Sequence, residues 1–338
     1  MPGSTLLLPG DEHGMRHRGS AAAVACPCRS HPDPATQPPL PYLRRVLHPD
    51  GVQFAHPAER EFARLLAYYR IKWVYEPTTF ALRWGEDGRA TECFTPDFFL
   101  PDHRLYFELT TMRQSLVTRK NRKLRHLREL YPGTRIRLLY RRDILRLEDA
   151  YGPPVAAQRL RDVLWGEAEI EARIRDLAQQ VADEWLGRAT GGQPPVLLAV
   201  GSGAARFQQR LAAALAAAGV PCDTDRLDPS RFRRDSAQQA VRAVRRPEVS
   251  MDGRRVLLVG DVVSTGLSLT WAAERVARKH AAEVRSCAFL DRQAARLLDP
   301  GLAWVGFEAP DVPLAGCGLS LHRPLRRLPA IGTVEPVG

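Results

Sequence analysis

The sequence predicts an α/β fold in two units, the larger of which carries a parallel sheet. Beyond residue 161, apolar strand segments such as VLLAV alternate with amphipathic helical segments, and this order is typical of parallel strands joined by crossover helices. Before residue 149, short strand segments rich in aromatic residues lie between two helical segments. Residues 1–48 are rich in Pro, Gly, Ser and His and have no hydrophobic period.

These observations set the expected boundaries. Residues 1–48 are predicted to be a tail, because their composition cannot bury enough apolar surface to order the chain. We expect a smaller α/β unit over 49–148, a linker over 149–160 and the larger unit over 161–338.

The smaller unit opens with a helix, because Phe62, Leu65, Leu66 and Tyr69 recur at helical spacing after Pro57. Strands are predicted in the segments IKWVYE, FALRW, CFTPDFFL and RLYFELT. A basic helix over 115–131 and a last strand, TRIRLLY, complete the unit.

The larger unit opens with a helix predicted over 167–187. The strand VLLAV then leads through the turn Gly201-Ser202-Gly203 into an Ala-rich helix. A second step of the same kind is VLLVGDVVSTGLSL, in which a helix is expected to begin near Ser268. In such sheets, ligands bind beyond the carboxyl ends of the strands.

The bulk composition limits the class of protein. The 338 residues carry a net charge of +11, much of it in residues 118–146, so the helix over 115–131 is a candidate for contact with DNA. Six scattered cysteines suit a reducing compartment. Since no apolar run approaches the roughly 20 residues of a membrane span, we expect a cytoplasmic protein without a membrane partner.

The loop of the second strand-to-helix step is built for an anion. A helix N-terminus presents unpaired backbone N–H groups, which favour a bound phosphate. The residues concerned are Ser264, Thr265, Gly266, Leu267 and Ser268, and Asp261 stands just before them at the strand end. The alternative is an ordinary turn capped by Ser or Thr.

VLLVGDVVSTGLSL resembles the phosphoribosyl-diphosphate signature of type I phosphoribosyltransferases. WVGFEAPDVPLAGCGL resembles the hood of the hypoxanthine-guanine branch of that family, and the likeness spans about residues 160–335. The resemblance implies a Rossmann-like parallel sheet with a hood, Mg²⁺ as cofactor, and phosphoribosyl diphosphate (PRPP) with a purine base or nucleotide as ligands. It also implies transfer of the phosphoribosyl group to a 6-oxopurine, as in purine salvage, and assembly as a homo-oligomer.

The same resemblance assigns roles to individual residues. Ser264 to Ser268 would hold the 5′-phosphate, Asp261 the ribose hydroxyls and the metal, and Ser264 would stand at the catalytic position. The remaining assignments are Gly201, Ser202 and Gly203 for the pyrophosphate loop and Arg292, Pro313 and Leu314 for the base.

Some positions depart from the family pattern. Gly260 replaces the first of two acids, and Ser264 replaces the aspartate that handles the proton of the base. A serine cannot be that acid or base near neutral pH. Two readings follow: a weakened transferase, or a domain that senses a nucleotide or PRPP and controls a nuclease.

The hypothesis of a nuclease rests on the segment TPDFFLPDHRLYFELT, which resembles the core of PD-(D/E)XK nucleases. That resemblance implies Mg²⁺ held by Asp97 and Glu108, with Glu59 as the third acid. Thr110 stands where the signature has its lysine, so Lys120 or Lys123 from the next helix is expected to reach the site. The alternative is that Asp97 and Glu108 only pair with arginines.

Overall fold

The structure, a computed structural model, describes residues 49–110, 114–140, 158–186, 193–230, 240–319 and 323–336, together with residues 143 and 232. The tail expected over 1–48 and most of the expected linker therefore lie outside the described residues. Within the described part of the chain, none of the helices has the length and apolar character of a membrane span.

The N-terminal unit is a four-stranded sheet with a helix on each face and a separate hairpin. Its elements are α1 (Pro57–Tyr68), β1 (Val74–Tyr75), β2 (Phe80–Trp84), β3 (Ala90–Phe94), β4 (Phe98–Leu100), β5 (Leu105–Thr110), α2 (Gln114–Leu130) and β6 (Arg135–Tyr140). The sheet order is β1-β4-β5-β6, with β5 and β6 parallel, and β2 and β3 form the hairpin.

Alternation along the strands explains why helices cover both faces. Phe98 and Phe107 pack against Phe62 of α1, whereas Phe99 and Tyr106, one residue away on each strand, pack with residues of α2. The segment CFTPDFFL does not form one strand. Strand β3 of the hairpin ends at Phe94, β4 of the four-stranded sheet begins at Phe98, and Asp97 lies between them.

The C-terminal unit contains a six-stranded sheet. Its elements are β7 (Gln158–Trp165), α3 (Glu167–Val181), β8 (Val196–Val200), α4 (Ala205–Ala217), β9 (Asp223–Pro229), β10 (Ala243–Arg245), β11 (Arg255–Val263), α5 (Leu267–Ala277), β12 (Glu283–Asp291), β13 (Leu302–Glu308), β14 (Leu314–Gly316), α6 (Arg323–Arg326) and β15 (Ile331–Pro336). The order is β10-β9-β8-β11-β12-β13, and every pairing is parallel except β10 with β9. The predicted parallel sheet is confirmed.

Helices cover both faces of this sheet. Residues of α3 and α4 pack with one set of strand side chains, and those of α5 pack with the alternate set. The helix predicted over 167–187 is regular only to Val181 and continues as a π-helical turn, Ala182–Leu186.

A small antiparallel sheet, β14-β15-β7, closes one end of the C-terminal unit. Its strand β7 begins at Gln158, inside the segment expected to be a linker, because residues 158–165 pair with β15 near the end of the chain. This pairing joins residues that are more than 150 positions apart, and the sequence carries no local signal for it.

The two units share one hydrophobic core. The cluster that contains Phe62, Phe98 and Phe107 of the N-terminal unit also contains Leu258 of β11 and Leu269 of α5. The N-terminal unit therefore packs on the α5 side of the C-terminal sheet.

Candidate functional site

Two loops meet at the carboxyl edge of the six-stranded sheet. Strands β8 and β11 are neighbours, and each ends in a turn that leads into a helix. After β8 the turn begins at Gly201, and after β11 it spans residues 264–266. The fold therefore places the segment Gly201-Ser202-Gly203 beside the loop 264–268.

The loop 264–268 depends on a glycine. Gly266 has φ +82°, in the left-handed region that favours glycine, and it is the N-cap of α5. A Cβ at Gly266 would lie 2.1 Å from the carbonyl oxygen of Leu298. Both the conformation and the close approach exclude a side chain there.

Two carbonyl groups in and next to the loop accept hydrogen bonds from the segment 292–298. Val263 C=O accepts from Arg292 N–H at 3.0 Å, and Thr265 C=O accepts from the N–H groups of Leu297 and Leu298, both at 3.0 Å. In a trans peptide the following N–H points the opposite way. The N–H groups of Ser264 and Gly266 therefore point away from the segment 292–298.

The start of α5 adds further donors. Its first backbone bond runs from Thr270 N–H to Gly266 C=O at 3.0 Å, so the amides of Leu267, Ser268 and Leu269 have no intrahelical carbonyl to bind. Leu267 N–H lies 3.4 Å from Thr265 Oγ1, a long contact. The helix N-terminus and the two turned amides together make an anion-binding arrangement.

The carboxylate of Asp261 joins the two loops. A Cβ at Gly203 would lie 1.8 Å from Asp261 Oδ2, so the carboxylate occupies the space that any other residue at 203 would fill. At Gly260 a Cβ would lie 2.8 Å from Val263 Cγ2. An acid at 260 would thus require Val263 to move, and Asp261 is the acid that this strand end presents.

The residues expected to bind a base lie at the end of β12 and the start of β14. Arg292 donates from its guanidinium to Val312 C=O at 2.9 Å, which brings it next to Pro313. Pro313 is exposed, and Leu314 is half-buried at the start of β14. The structure therefore brings all three together.

A family model described as "Phosphoribosyl transferase domain" matches residues 166–322. The hypoxanthine-guanine phosphoribosyltransferase of Mycobacterium avium is 31% identical over 179 residues, which make up 52% of this chain and 87% of that protein. The chain belongs to the phosphoribosyltransferase family. The Bacillus subtilis hypoxanthine-guanine phosphoribosyltransferase is 26% identical over 175 residues, or 52% of this chain and 93% of that protein.

A solved structure of a hypoxanthine phosphoribosyltransferase from Staphylococcus aureus is 25% identical, with 52% of this chain and 94% of that one covered and a TM-score of 0.46. The family model leaves the N-terminal unit unmatched, since it begins at residue 166. The phosphoribosyltransferase domain is thus the C-terminal unit with its parallel sheet.

The N-terminal unit contains a second group of charged side chains. Glu108 of β5 is 3% exposed, and its Oε1 lies 2.5 Å from Lys120 Nζ of α2. Lys120 also donates to Leu109 C=O at 3.1 Å, and Asp97 Oδ2 accepts from Leu109 N–H at 2.6 Å. Asp97, Glu108 and Lys120 are therefore gathered at one edge of the sheet.

Two other predicted residues have their hydrogen bonds elsewhere, although the charge of Glu59 adds to the effect of burial in raising the pKa values of Asp97 and Glu108. Lys123 donates to Cys93 C=O at 2.9 Å and lies 3.7 Å from Glu92, on the hairpin side of α2. Glu59 caps α1: its Oε2 accepts from His56 N–H at 3.2 Å and from Tyr75 Oη–H at 2.7 Å. Among the described residues, no three His, Cys, Asp or Glu side chains are close enough together to hold a metal ion.

The electrostatics of the pair are strained. Burial, reinforced by the charge of Glu108, raises the pKa of Asp97 to about 7. Burial also raises the pKa of Glu108, although Lys120 opposes that rise. Among the described residues, Glu108 Oε2 and Thr110 Oγ1 are buried atoms without a hydrogen-bond partner. A cation or a proton at the pair would relieve both the repulsion and the unpaired oxygen.

Two contacts of the loop 264–268 and of the strand end before it could not be predicted from the sequence. Arg296 forms an ion pair with buried Asp291 and also donates to Val263 C=O at 3.1 Å. Tyr69 at the end of α1 lies with its hydroxyl 3.4 Å from Ser268 Oγ. No sequence motif marks either contact, and Tyr69 and Ser268 are 199 positions apart in the sequence.

Proposed function

We propose that the chain transfers the phosphoribosyl group of PRPP to a 6-oxopurine, with low turnover. The arrangement of Asp261 between the pyrophosphate loop and the loop 264–268 carries this proposal. The hypoxanthine-guanine transferases that the chain resembles support the choice of acceptor.

Different residues of the chain bind different parts of the two substrates. Amides of the loop 264–268 and the hydroxyls of Ser264 and Ser268 bind the 5′-phosphate, while Gly201 to Gly203 let the pyrophosphate approach the backbone. Arg292, beside Pro313, donates to the 6-oxo group of the base. The C1′–N bond forms as the C1′–O bond to pyrophosphate breaks, and the base loses one proton.

The expected low turnover follows from two positions. Ser264 does not accept the proton of the base near neutral pH, so that proton passes to water or to the leaving pyrophosphate. Gly260 leaves Asp261 as the acid for the ribose hydroxyls. Both losses leave binding of PRPP largely intact, because the phosphate contacts come from backbone amides and serine hydroxyls of the loop 264–268.

Magnesium fits this site through one carboxylate. Mg²⁺ is commonly held by one or two carboxylates together with substrate phosphates, and Asp261 is the carboxylate placed at the pyrophosphate loop. When bound, the ion would neutralise charge on the departing pyrophosphate. Asp261 itself orients the ribose by accepting hydrogen bonds from its hydroxyls.

Product formation tests the proposal. Purified protein with hypoxanthine or guanine, PRPP and Mg²⁺ should form the nucleoside monophosphate and pyrophosphate, and Asp261→Asn should remove both. No product above a blank would discard transfer. Binding of PRPP without product would support the sensing alternative.

The second candidate function belongs to the N-terminal unit: metal-dependent cleavage of a DNA phosphodiester bond. Buried Glu108 with its unpartnered Oε2, its neighbour Asp97 and the cation of Lys120 favour it. The donor set fits Mg²⁺, which would be held by Asp97 and Glu108 and would polarise the scissile phosphate. The basic helix α2 gives the unit a positive surface for a polyanion.

Plasmid nicking tests this candidate, with Lys123→Met as the matched control for Lys120→Met. Nicking with Mg²⁺ or Mn²⁺ should disappear in Asp97→Asn, Glu108→Gln and Lys120→Met and persist in Lys123→Met. Nicking that survives in the first three variants would assign the activity to another site or a contaminant.

A further inference from the structure

One contact between the N-terminal unit and the loop 264–268 joins two hydroxyl groups. Tyr69, the C-cap of α1, places its Oη 3.4 Å from Oγ of Ser268, the second residue of α5. Tyr69 is 4% exposed, so its hydroxyl is fixed by packing rather than held in bulk water. A residue from outside the transferase domain thus lies behind a residue that the proposed function assigns to the 5′-phosphate.

The end of α1 is held firmly in this position. The hydroxyl of its neighbour Tyr68 is hydrogen-bonded to Ser230 Oγ at 2.7 Å, and the backbone C=O of Tyr68 accepts from Val241 N–H at 2.8 Å. The Tyr68 ring packs edge-on against Phe232. The rings of Tyr68 and Tyr69 also pack edge to face, with centroids 5.3 Å apart. These contacts fix where the Tyr69 hydroxyl lies relative to α5.

The contact between the two hydroxyls can orient the proton of Ser268. A serine hydroxyl has one proton and can accept at its oxygen. If Tyr69 donates to Ser268 Oγ, the proton of Ser268 is directed toward the loop, where a phosphate oxygen would accept it. Bonds in such a chain polarise one another, and a charged acceptor at the end strengthens them. The 3.4 Å distance is long for two hydroxyls, so we expect it to shorten when phosphate is bound.

We propose that Tyr69 is a positioning residue of the phosphoribosyl site, acting through Ser268 on the 5′-phosphate. The N-terminal unit then completes the transferase site as well as carrying its own acidic pair. This inference rests on the proposed binding of PRPP at the loop 264–268.

Two ligands that each contain part of PRPP distinguish a specific effect of Tyr69 on the 5′-phosphate from a general disturbance of the binding site. Ribose 5-phosphate occupies the 5′-phosphate loop, whereas pyrophosphate occupies the loop 201–203. Tyr69→Phe, which keeps the ring, should raise the Kd of ribose 5-phosphate about three- to tenfold, the range for one lost hydrogen bond, and leave the Kd of pyrophosphate unchanged. Tyr131→Phe is the matched control, because it removes a hydroxyl that donates to Ala81 C=O on the α2 side of the N-terminal sheet, and it should change neither.

A double-mutant cycle tests the path through Ser268. Ser268→Ala should weaken ribose 5-phosphate binding, and adding Tyr69→Phe to it should cause no further loss. Calorimetric titration measures all these affinities in the full-length chain, and KM for PRPP should rise in Tyr69→Phe with kcat little changed.

Three results would overturn the inference. They are an unchanged ribose 5-phosphate affinity in Tyr69→Phe, an equal loss for pyrophosphate, and an additive loss in the double variant. A wild-type chain that binds neither ligand would instead remove the proposed function, and the inference with it.

Discussion

Replacing Asp97 by Asn should stabilise the protein at neutral and alkaline pH. The pKa of Asp97 is raised from 3.8 to about 7, chiefly by burial and then by Glu108. Because the folded state holds this proton more tightly than the unfolded state, the free energy of unfolding falls as the pH rises from about 4 to 7. Asn removes the charge, and its amide oxygen can still accept from Leu109 N–H, now bonded at 2.6 Å.

The size of the effect follows from the shift. A rise from 3.8 to about 7 is about 3 units, which at 1.36 kcal/mol per unit sets an upper limit of about 4 kcal/mol. Asp97 and Glu108 share the repulsion, and Lys120 offsets part of it, so one substitution should recover about half, or ~2 kcal/mol at pH 8. Near pH 4 the two proteins should be equally stable.

Urea unfolding at pH 4, 6 and 8 in the presence of a chelator measures this difference. The control is Asp102→Asn, because Asp102 is half exposed and pairs with Lys72 on the surface, so its effect should stay within about 0.5 kcal/mol. Adding Mg²⁺ or Mn²⁺ at pH 8 should raise the melting temperature of the wild type but not of Asp97→Asn. Equal stability of wild type and Asp97→Asn at pH 8 would refute the account of a strained pair.

Further substitutions test the two sites separately. Gly266→Ala combines strain at positive φ with a clash against a backbone carbonyl and should cost about 3 kcal/mol or more by thermal unfolding, whereas Gly253→Ala, at φ +67° with open space, should cost about 1 kcal/mol. A larger loss in Gly253→Ala would contradict this. Lys120→Met leaves a buried carboxylate unpaired and should lower the free energy of unfolding at pH 8 by about 2 kcal/mol, against less than 1 for Lys123→Met; equal losses would refute the assignment. Gly203→Ala must displace the nearby carboxylate and should weaken PRPP binding at least about tenfold by calorimetry, and an unchanged affinity would argue against the pocket.

Local patterns predicted the elements well. The spacing of Phe62, Leu65 and Leu66 predicts the buried face of α1, and the strand-loop-helix step around Gly266 predicts where the loop 264–268 lies. Periodicity and turn chemistry act over a few residues, so one sequence is enough to detect them. The sequence indicates only part of the requirement for glycine at 266. The carbonyl of Leu298, which fills the space of a side chain there, belongs to a residue 32 positions further along the chain.

The sequence could not decide which of several nearby residues reaches the acidic pair Asp97 and Glu108. Lys120 and Lys123 lie three positions apart, on nearly the same face of α2, and only their height along the helix axis decides which one reaches Glu108. Glu59, predicted as a third acid, is also the N3 residue of a capping box. The sequence does not reveal this role, because the N-cap is His56 rather than the usual Ser or Thr. The contact of Tyr69 with Ser268 depends on how the two units pack, which no local signal encodes.

The proposed function requires that the loop 264–268 and Asp261 form a site for PRPP. Isothermal titration of PRPP in the presence of Mg²⁺ measures this binding. The wild-type chain should bind one equivalent, and Asp261→Asn should bind at least about tenfold more weakly. No heat of binding from the wild type, or an unchanged affinity in Asp261→Asn, would contradict it.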